Sequence, residues 1–122
     1  MVFAVMKRLE VVVGNVDAFV ILEALKKAGF PSYMSSTIRG RGKTKRSIVV
    51  TSEHGTVGDT IEENIIDKVK LEFILDDGDI NKVVSIIMDK AKNSALGDGK
   101  IFISDIHDVI RIRTGERGNR AI

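Results

Sequence analysis

The sequence predicts an α+β fold: one antiparallel sheet carrying two helices on one face, in the βαββαβ order of a ferredoxin-like sandwich, with a short C-terminal strand after it. Three observations predict it. Two apolar-alternating segments, at 9–13 and 68–75, read as strands with one buried face. Each is followed by a stripe of helical period, and each stripe by a further extended piece. The two strand-helix-strand halves are of similar size, and the 122 residues make a single domain, 1–122.

Taken in order, Leu9, Val11 and Val13 alternate with Arg8, Glu10 and Val12 in the first strand, which Gly14-Asn15 breaks. Asn15 is placed to cap a helix, with Asp17 in its first turn. Ala18, Ile21, Leu22, Leu25 and Ala28 follow helical spacing, and Gly29 is the C-terminal stop ahead of Pro31. A second strand runs from Tyr33 to about Arg39. From Arg41 to Asn64 no helical period is sustained, and the segment reads as one long, mobile loop; loops of this length are usually functional. Its first arm belongs to Arg39–Arg46, with five basic residues in eight, and its second turns acidic through Asp59, Glu62 and Glu63.

Lys68–Leu75 alternates charged and apolar residues as a third strand. Asp76-Asp-Gly-Asp79 is a turn ending in a helix cap. Ile80, Val83, Val84, Ile87 and Ala91 are the apolar stripe of the second helix. A strand at Ile101–Ser104 and an extended piece around Ile110–Arg113 complete the chain. Val12 and Ile74 are apolar on faces where a solvated sheet prefers polar groups, which points to self-association.

Composition narrows the function. A net charge of +2 argues for a nucleic-acid binder only if the charge is clustered. The absence of cysteine excludes disulfides, thiolate metal sites and cysteine nucleophiles. Met1–Val5 is too short for a signal peptide, and no apolar run approaches membrane-spanning length, so the chain reads as cytoplasmic and not membrane-embedded. His54 and His107 are far apart and give no support to a histidine metal site.

Three elements seek anions. In Gly97-Asp98-Gly99-Lys100 the glycines allow close backbone approach, so N–H groups could cradle an anion beside the lysine; a plain turn between helix and strand is the simpler reading. Arg111 and Arg113, placed on a strand, project from one face roughly 7 Å apart, where their forks suit phosphate or carboxylate; a solvated strand face is the alternative. Arg39–Arg46 could meet phosphates or form a solvated loop, and without interleaved aromatic residues it is poorly suited to stacking on bases. No nucleophile and base stand out beside these groups. A phosphate-bearing ligand that is bound and sensed fits them best.

Gly97-Asp-Gly-Lys-Ile-Phe102, Val109-Ile-Arg-Ile-Arg-Thr-Gly-Glu116 and the closing Ala121-Ile122 closely resemble the C-terminal signature of the PII signal-transduction proteins. The likeness extends through Lys68-Val-Lys-Leu-Glu72, Gly40-x-Gly42-Lys43 and Met6-Lys-Arg-Leu-Glu10, so that Met1–Val5 looks like a short extension or a misplaced start. The resemblance implies a homotrimer that binds ATP or ADP between subunits, reads 2-oxoglutarate with Mg-ATP, and regulates an enzyme or transporter of nitrogen metabolism through a long T-loop, here 41–64. It implies that Gly97, Asp98 and Gly99 hold the phosphates by their backbone. Lys100, Arg111 and Arg113 neutralise them, the arginines reaching from a neighbouring subunit, while Gly42 and Lys43 close from the loop base. Glu72 and Ile74 lie at the nucleoside end, and Lys68 meets a 2-oxoglutarate carboxylate.

Three departures from the family pattern stand out. Thr44 replaces a glutamine that helps arrange magnesium and 2-oxoglutarate, and Met34 replaces a hydroxyl residue near the adenine. The loop is longer than usual and has no tyrosine, so the resemblance implies no uridylylation there; Tyr33 lies outside it. This loop, with its Gly-Arg-Gly-Lys start, is somewhat similar to the branch that switches nitrogenase. Two other classes of function remain at this stage: a slow ATPase or phosphotransferase on the same site, with Asp98 the only acid near Lys100, and a nucleic-acid binder using Arg39–Arg46. Of the three classes, binding and sensing is preferred, with no nucleic acid as partner and no catalytic residue.

Overall fold

Leu9, Val11 and Val13 form one face of β1 (Met6–Val13), and all three are buried. That strand lies inside the sheet: β3 (Val57–Asp76) pairs with it antiparallel on one side and β4 (Lys100–Ile106) antiparallel on the other. The remaining strand, β2 (Met34–Thr51), runs antiparallel along the outer side of β3, giving the order β2-β3-β1-β4. The computed structural model describes residues 5–51, 57–92 and 99–122, with side chains over 5–41, 67–92 and 99–122.

Two helices cover the face of the sheet that carries Leu9 and Val11. On α1 (Asn15–Lys27) the buried residues are Ala18, Ile21 and Leu25, and on α2 (Ile80–Ala91) they are Ile80, Val83 and Ile87. These meet Leu71 and Phe73 of β3 in one apolar cluster. Each large aliphatic or aromatic side chain fully withdrawn from water here contributes about 1.5–3 kcal/mol. The α+β, ferredoxin-like expectation is met in element order and in layers.

Local signals work as anticipated at one end of α1 and differently at the other. Gly29 adopts φ +96°, its N–H donates to the Lys26 carbonyl, and the Phe30 N–H reaches back to the Leu25 carbonyl at 2.8 Å. This is the paired closure that a left-handed residue makes possible. At the start of α1, Gly14 is the capping residue and Asn15 already lies inside the helix, so Asn15 supplies no side-chain cap. Asp79 does occupy the capping position of α2, after a 3-10 turn at Asp77–Asp79, but its side chain makes no capping hydrogen bond.

Two expectations are corrected. The described parts of the segment 41–64, residues 41–51 and 57–64, are not loop without structure. They continue β2 and β3 as an antiparallel ribbon, with Arg41 opposite Ile65, Arg46 opposite Glu63 and Thr51 opposite Val57, and with register shifts between Arg41 and Arg46 and between Val49 and Thr51. The β-branched run Ile48–Thr51 favours extended backbone, and the lack of a helical period there is equally a property of paired strands. The extended piece around Ile110–Arg113 is likewise not a strand of the sheet. It leads into a turn closed by an isolated bridge between Ile110 and Arg117, with Gly115 at φ +72° and Gly118 at φ +70°. The backbone reverses where glycine accepts left-handed angles.

Candidate functional site

The register sorts the predicted residues onto faces, because cross-strand partners share a side of the sheet. The face away from the helices carries Arg8, Glu10 and Val12 of β1. Ile74, Glu72 and Lys70 of β3 stand opposite them in that order, and Ser104, Phe102 and Lys100 of β4 flank them on the other side. Lys68 follows Lys70 on the same side of β3, opposite Ile38 of β2. Four of the predicted residues, Lys68, Glu72, Ile74 and Lys100, are thus brought to one open face. Lys70 binds Glu72 at 3.2 Å and Arg8 lies 3.8 Å from Glu10, so Glu72 and Glu10 each have an adjacent base.

Gly99 and Lys100 start β4 next to the end of β1. A side chain on Gly99 would stand 3.1 Å from a methyl of Val13 and 3.5 Å from the Val12 carbonyl, so the backbone there passes close to β1. Lys100 is exposed and, among the described residues, has no ion-pair partner. Gly97 and Asp98 lie outside the described residues. Gly42, Lys43 and Thr44 lie on the backbone of β2, and their side chains are outside those described.

Arg111 and Arg113 do not stand side by side on a strand. They sit on the C-terminal turn, both exposed, around an Ile112 that is 99% exposed. The turn is held by its own backbone: the Arg111 N–H donates to the Glu116 carbonyl at 2.9 Å, and the Gly115 N–H to the Arg111 carbonyl at 2.8 Å. Among the described residues neither guanidinium has a carboxylate partner. Arg117 contrasts with both, since its Nη2 and Nε donate to Asp108 Oδ2 at 2.6 and 2.9 Å. The Arg117 pair, with bonds from the Val109 and Gly118 N–H groups, holds the Asp108 carboxyl below the usual carboxylate range.

Sequence reading missed that Asp108–Arg117 pair. The available signal was an acid immediately before, and an arginine and glycine immediately after, the Val109–Glu116 segment. It also missed the pair at the base of the ribbon, where Arg39 Nε donates to Asp67 Oδ1 at 2.8 Å and holds that carboxyl low in turn. Arg39, which ends the expected second strand and opens the basic run, is a paired strand residue.

A four-stranded antiparallel sheet with two helices on one face, and a mixed charged and apolar face left uncovered by them on the other, defines a ferredoxin-like domain. Within that class the chain belongs to the family of nitrogen regulatory protein P-II, whose family model matches residues 6–116. The chain is 36% identical over 102 residues to nitrogen regulatory protein P-II 2 of Methanothermobacter thermautotrophicus, covering 84% of each chain. Among solved structures it resembles B. subtilis GlnK, with TM-score 0.74 and 26% identity over 98% of this chain and all of that one. It also resembles the B. subtilis GlnK–ATP complex, with TM-score 0.72 and 25% identity over 97% and 98% of the two chains.

Proposed function

We propose that this chain forms a homotrimeric, cytoplasmic signalling protein that binds ATP or ADP between subunits and regulates a target of nitrogen metabolism through the ribbon of β2 and β3. The observation that carries the reading is the state of the arginines. Arg117 is satisfied within the chain, whereas Arg111 and Arg113 are exposed on a turn shaped by its own hydrogen bonds, and Lys100 is exposed as well. Guanidiniums held apart from internal carboxylates suit the oxygens of a phosphate chain. The GlnK–ATP complex, similar over 97% of this chain, supports nucleotide as the ligand.

In this reading the backbone of Gly97, Asp98 and Gly99 and the side chain of Lys100 hold phosphates, and Arg111 and Arg113 reach them from the adjacent subunit. Gly42 and Lys43 close from the ribbon, and Glu72 and Ile74 meet the nucleoside. Magnesium arrives on the nucleotide. Lys68 and Thr44 contact 2-oxoglutarate, which binds after Mg-ATP and weakly, because threonine is shorter than the family's glutamine. The relatives' names describe regulators, and regulation by binding requires no catalytic residue.

Calorimetric titration of ATP into wild type, Arg111→Ala and Arg113→Ala tests the site. Each change removes a charge-assisted contact of about 1.5–3 kcal/mol, so affinity falls roughly 10- to 150-fold. Wild-type affinity in both variants overturns the reading.

A further inference from the structure

Asp108 is bonded in a way that the nucleotide site, as read above, does not explain. Its Oδ1 accepts the Val109 N–H at 2.8 Å and the Gly118 N–H at 3.2 Å, and its Oδ2 accepts both Arg117 donors. All four contacts lie at the two feet of one turn. Residues 108 and 109 form one foot, 117 and 118 the other, and the Gly118 N–H also donates to the Val109 carbonyl at 3.0 Å. Arg111 and Arg113 are carried on the span between them. Above the feet, the bridge between Ile110 and Arg117 and the Thr114–Glu116 hydrogen bond at 3.0 Å complete the closure.

We infer that Asp108 is a positioning residue for nucleotide: its carboxylate clamps the feet of the C-terminal turn and withdraws Arg117, leaving Arg111 and Arg113 presented in the shape that phosphate meets. The inference rests on the reading of Arg111 and Arg113 as phosphate ligands. It follows from the division of labour among three arginines within seven residues, 111–117, of which the one at the foot is bound and the two on the span are open. A small exposed turn has few apolar contacts to hold it, so its internal bonds set the fraction of time spent in one shape. Apparent affinity falls in proportion to that fraction. Asp108 touches no ligand in this account and acts through the arginines.

The test is ATP calorimetry on the full-length protein for wild type, Asp108→Ala, Asp108→Asn, Arg111→Ala, Arg113→Ala and the double variant Asp108→Ala/Arg111→Ala, with mass by light scattering as the control for assembly. Asp108→Ala is expected to weaken ATP about tenfold, as for a turn competent about a tenth of the time. Asp108→Asn keeps an acceptor for the two backbone N–H groups and loses less. In the Arg111→Ala background, removing Asp108 costs clearly less than in wild type, because residues acting through one another are not additive; a purely structural defect would add in full. If Arg111→Ala or Arg113→Ala weakens ATP while Asp108→Ala binds as wild type, or if the double variant is additive, the inference is overturned and the function stands. If both single arginine variants bind as wild type, the nucleotide reading itself has failed. Should Asp108→Ala lose the wild-type mass, Asp108→Asn decides, and wild-type affinity there overturns the inference.

Discussion

Single residues on the C-terminal turn differ in what they are free to do, and pH separates them. The Asp108 carboxyl is held low first by Arg117 and then by the Val109 and Gly118 N–H groups. A carboxyl whose folded value is lowered contributes stability that is present above its unfolded value and is lost as pH falls through the folded value. The clamp is therefore constant through neutral and mildly acidic solution and opens only below the ordinary carboxylate range. Following the Gly118 and Val109 amide resonances against pH should give a shared midpoint below that of a free aspartate. Asp108→Asn should abolish the shared step, and a midpoint at or above the free value would contradict the pairing. The suitability of Arg111 and Arg113 for phosphate, the role proposed for them, was legible in the sequence as a pair of guanidinium forks. Their geometry was not, because alternation in Ile-Arg-Ile-Arg is the same in a strand and in the approach to a turn, and the deciding contact joins Asp108 to a residue nine positions later.

Elements show the same contrast between local and distant causes. The end of α1 was readable because one glycine does the work. Gly29 sits at φ +96° with open space around its missing side chain. Gly29→Ala therefore costs backbone strain alone, about 1–2 kcal/mol for a left-handed non-glycine residue, measurable as a lower urea midpoint with an unchanged slope. Leu25→Ala, four residues earlier and fully buried in the cluster between the helices and the sheet, should cost more, about 2–5 kcal/mol. A larger loss from Gly29→Ala than from Leu25→Ala would mean that the helix end, not the apolar layer, limits stability. The helices and the 68–75 strand were legible because their periods are imposed by a buried face. The outer parts of β2 and β3 were not, since a basic arm and an acidic arm with no apolar alternation look like loop until the register sets Arg39 against Asp67 and Arg46 against Glu63. Opposite signs on facing strands are a pairing signal, one that sequence order conceals by separating the partners by 28 positions in the first case.

At the scale of the whole molecule, the sheet face without helices is the decisive surface. One row across it holds Met34, Glu72, Glu10 and Phe102, with the two apolar ends 55% and 52% exposed, while Val12 and Ile74 lie half-buried in the flanking rows. A lone subunit leaves this mixed face in water; the proposed trimer, if built on it, would cover Phe102 in each subunit. Full burial of one such ring contributes about 1.5–3 kcal/mol, and a closed trimer repeats the gain at every subunit. Light scattering of wild type should give three times the monomer mass at micromolar concentration. Phe102→Glu adds a third carboxylate to a row that already holds Glu10 and Glu72, and it should give the mass of one subunit. Its far-UV signal should be retained, because Phe102 faces away from the Leu9–Phe73 core. ATP affinity should fall with assembly, since Arg111 and Arg113 are proposed to act on a neighbour's nucleotide. A wild-type monomer would remove the intersubunit site. A monomeric Phe102→Glu that binds ATP as wild type does would place the whole site within one chain, with Arg111 and Arg113 serving their own Lys100.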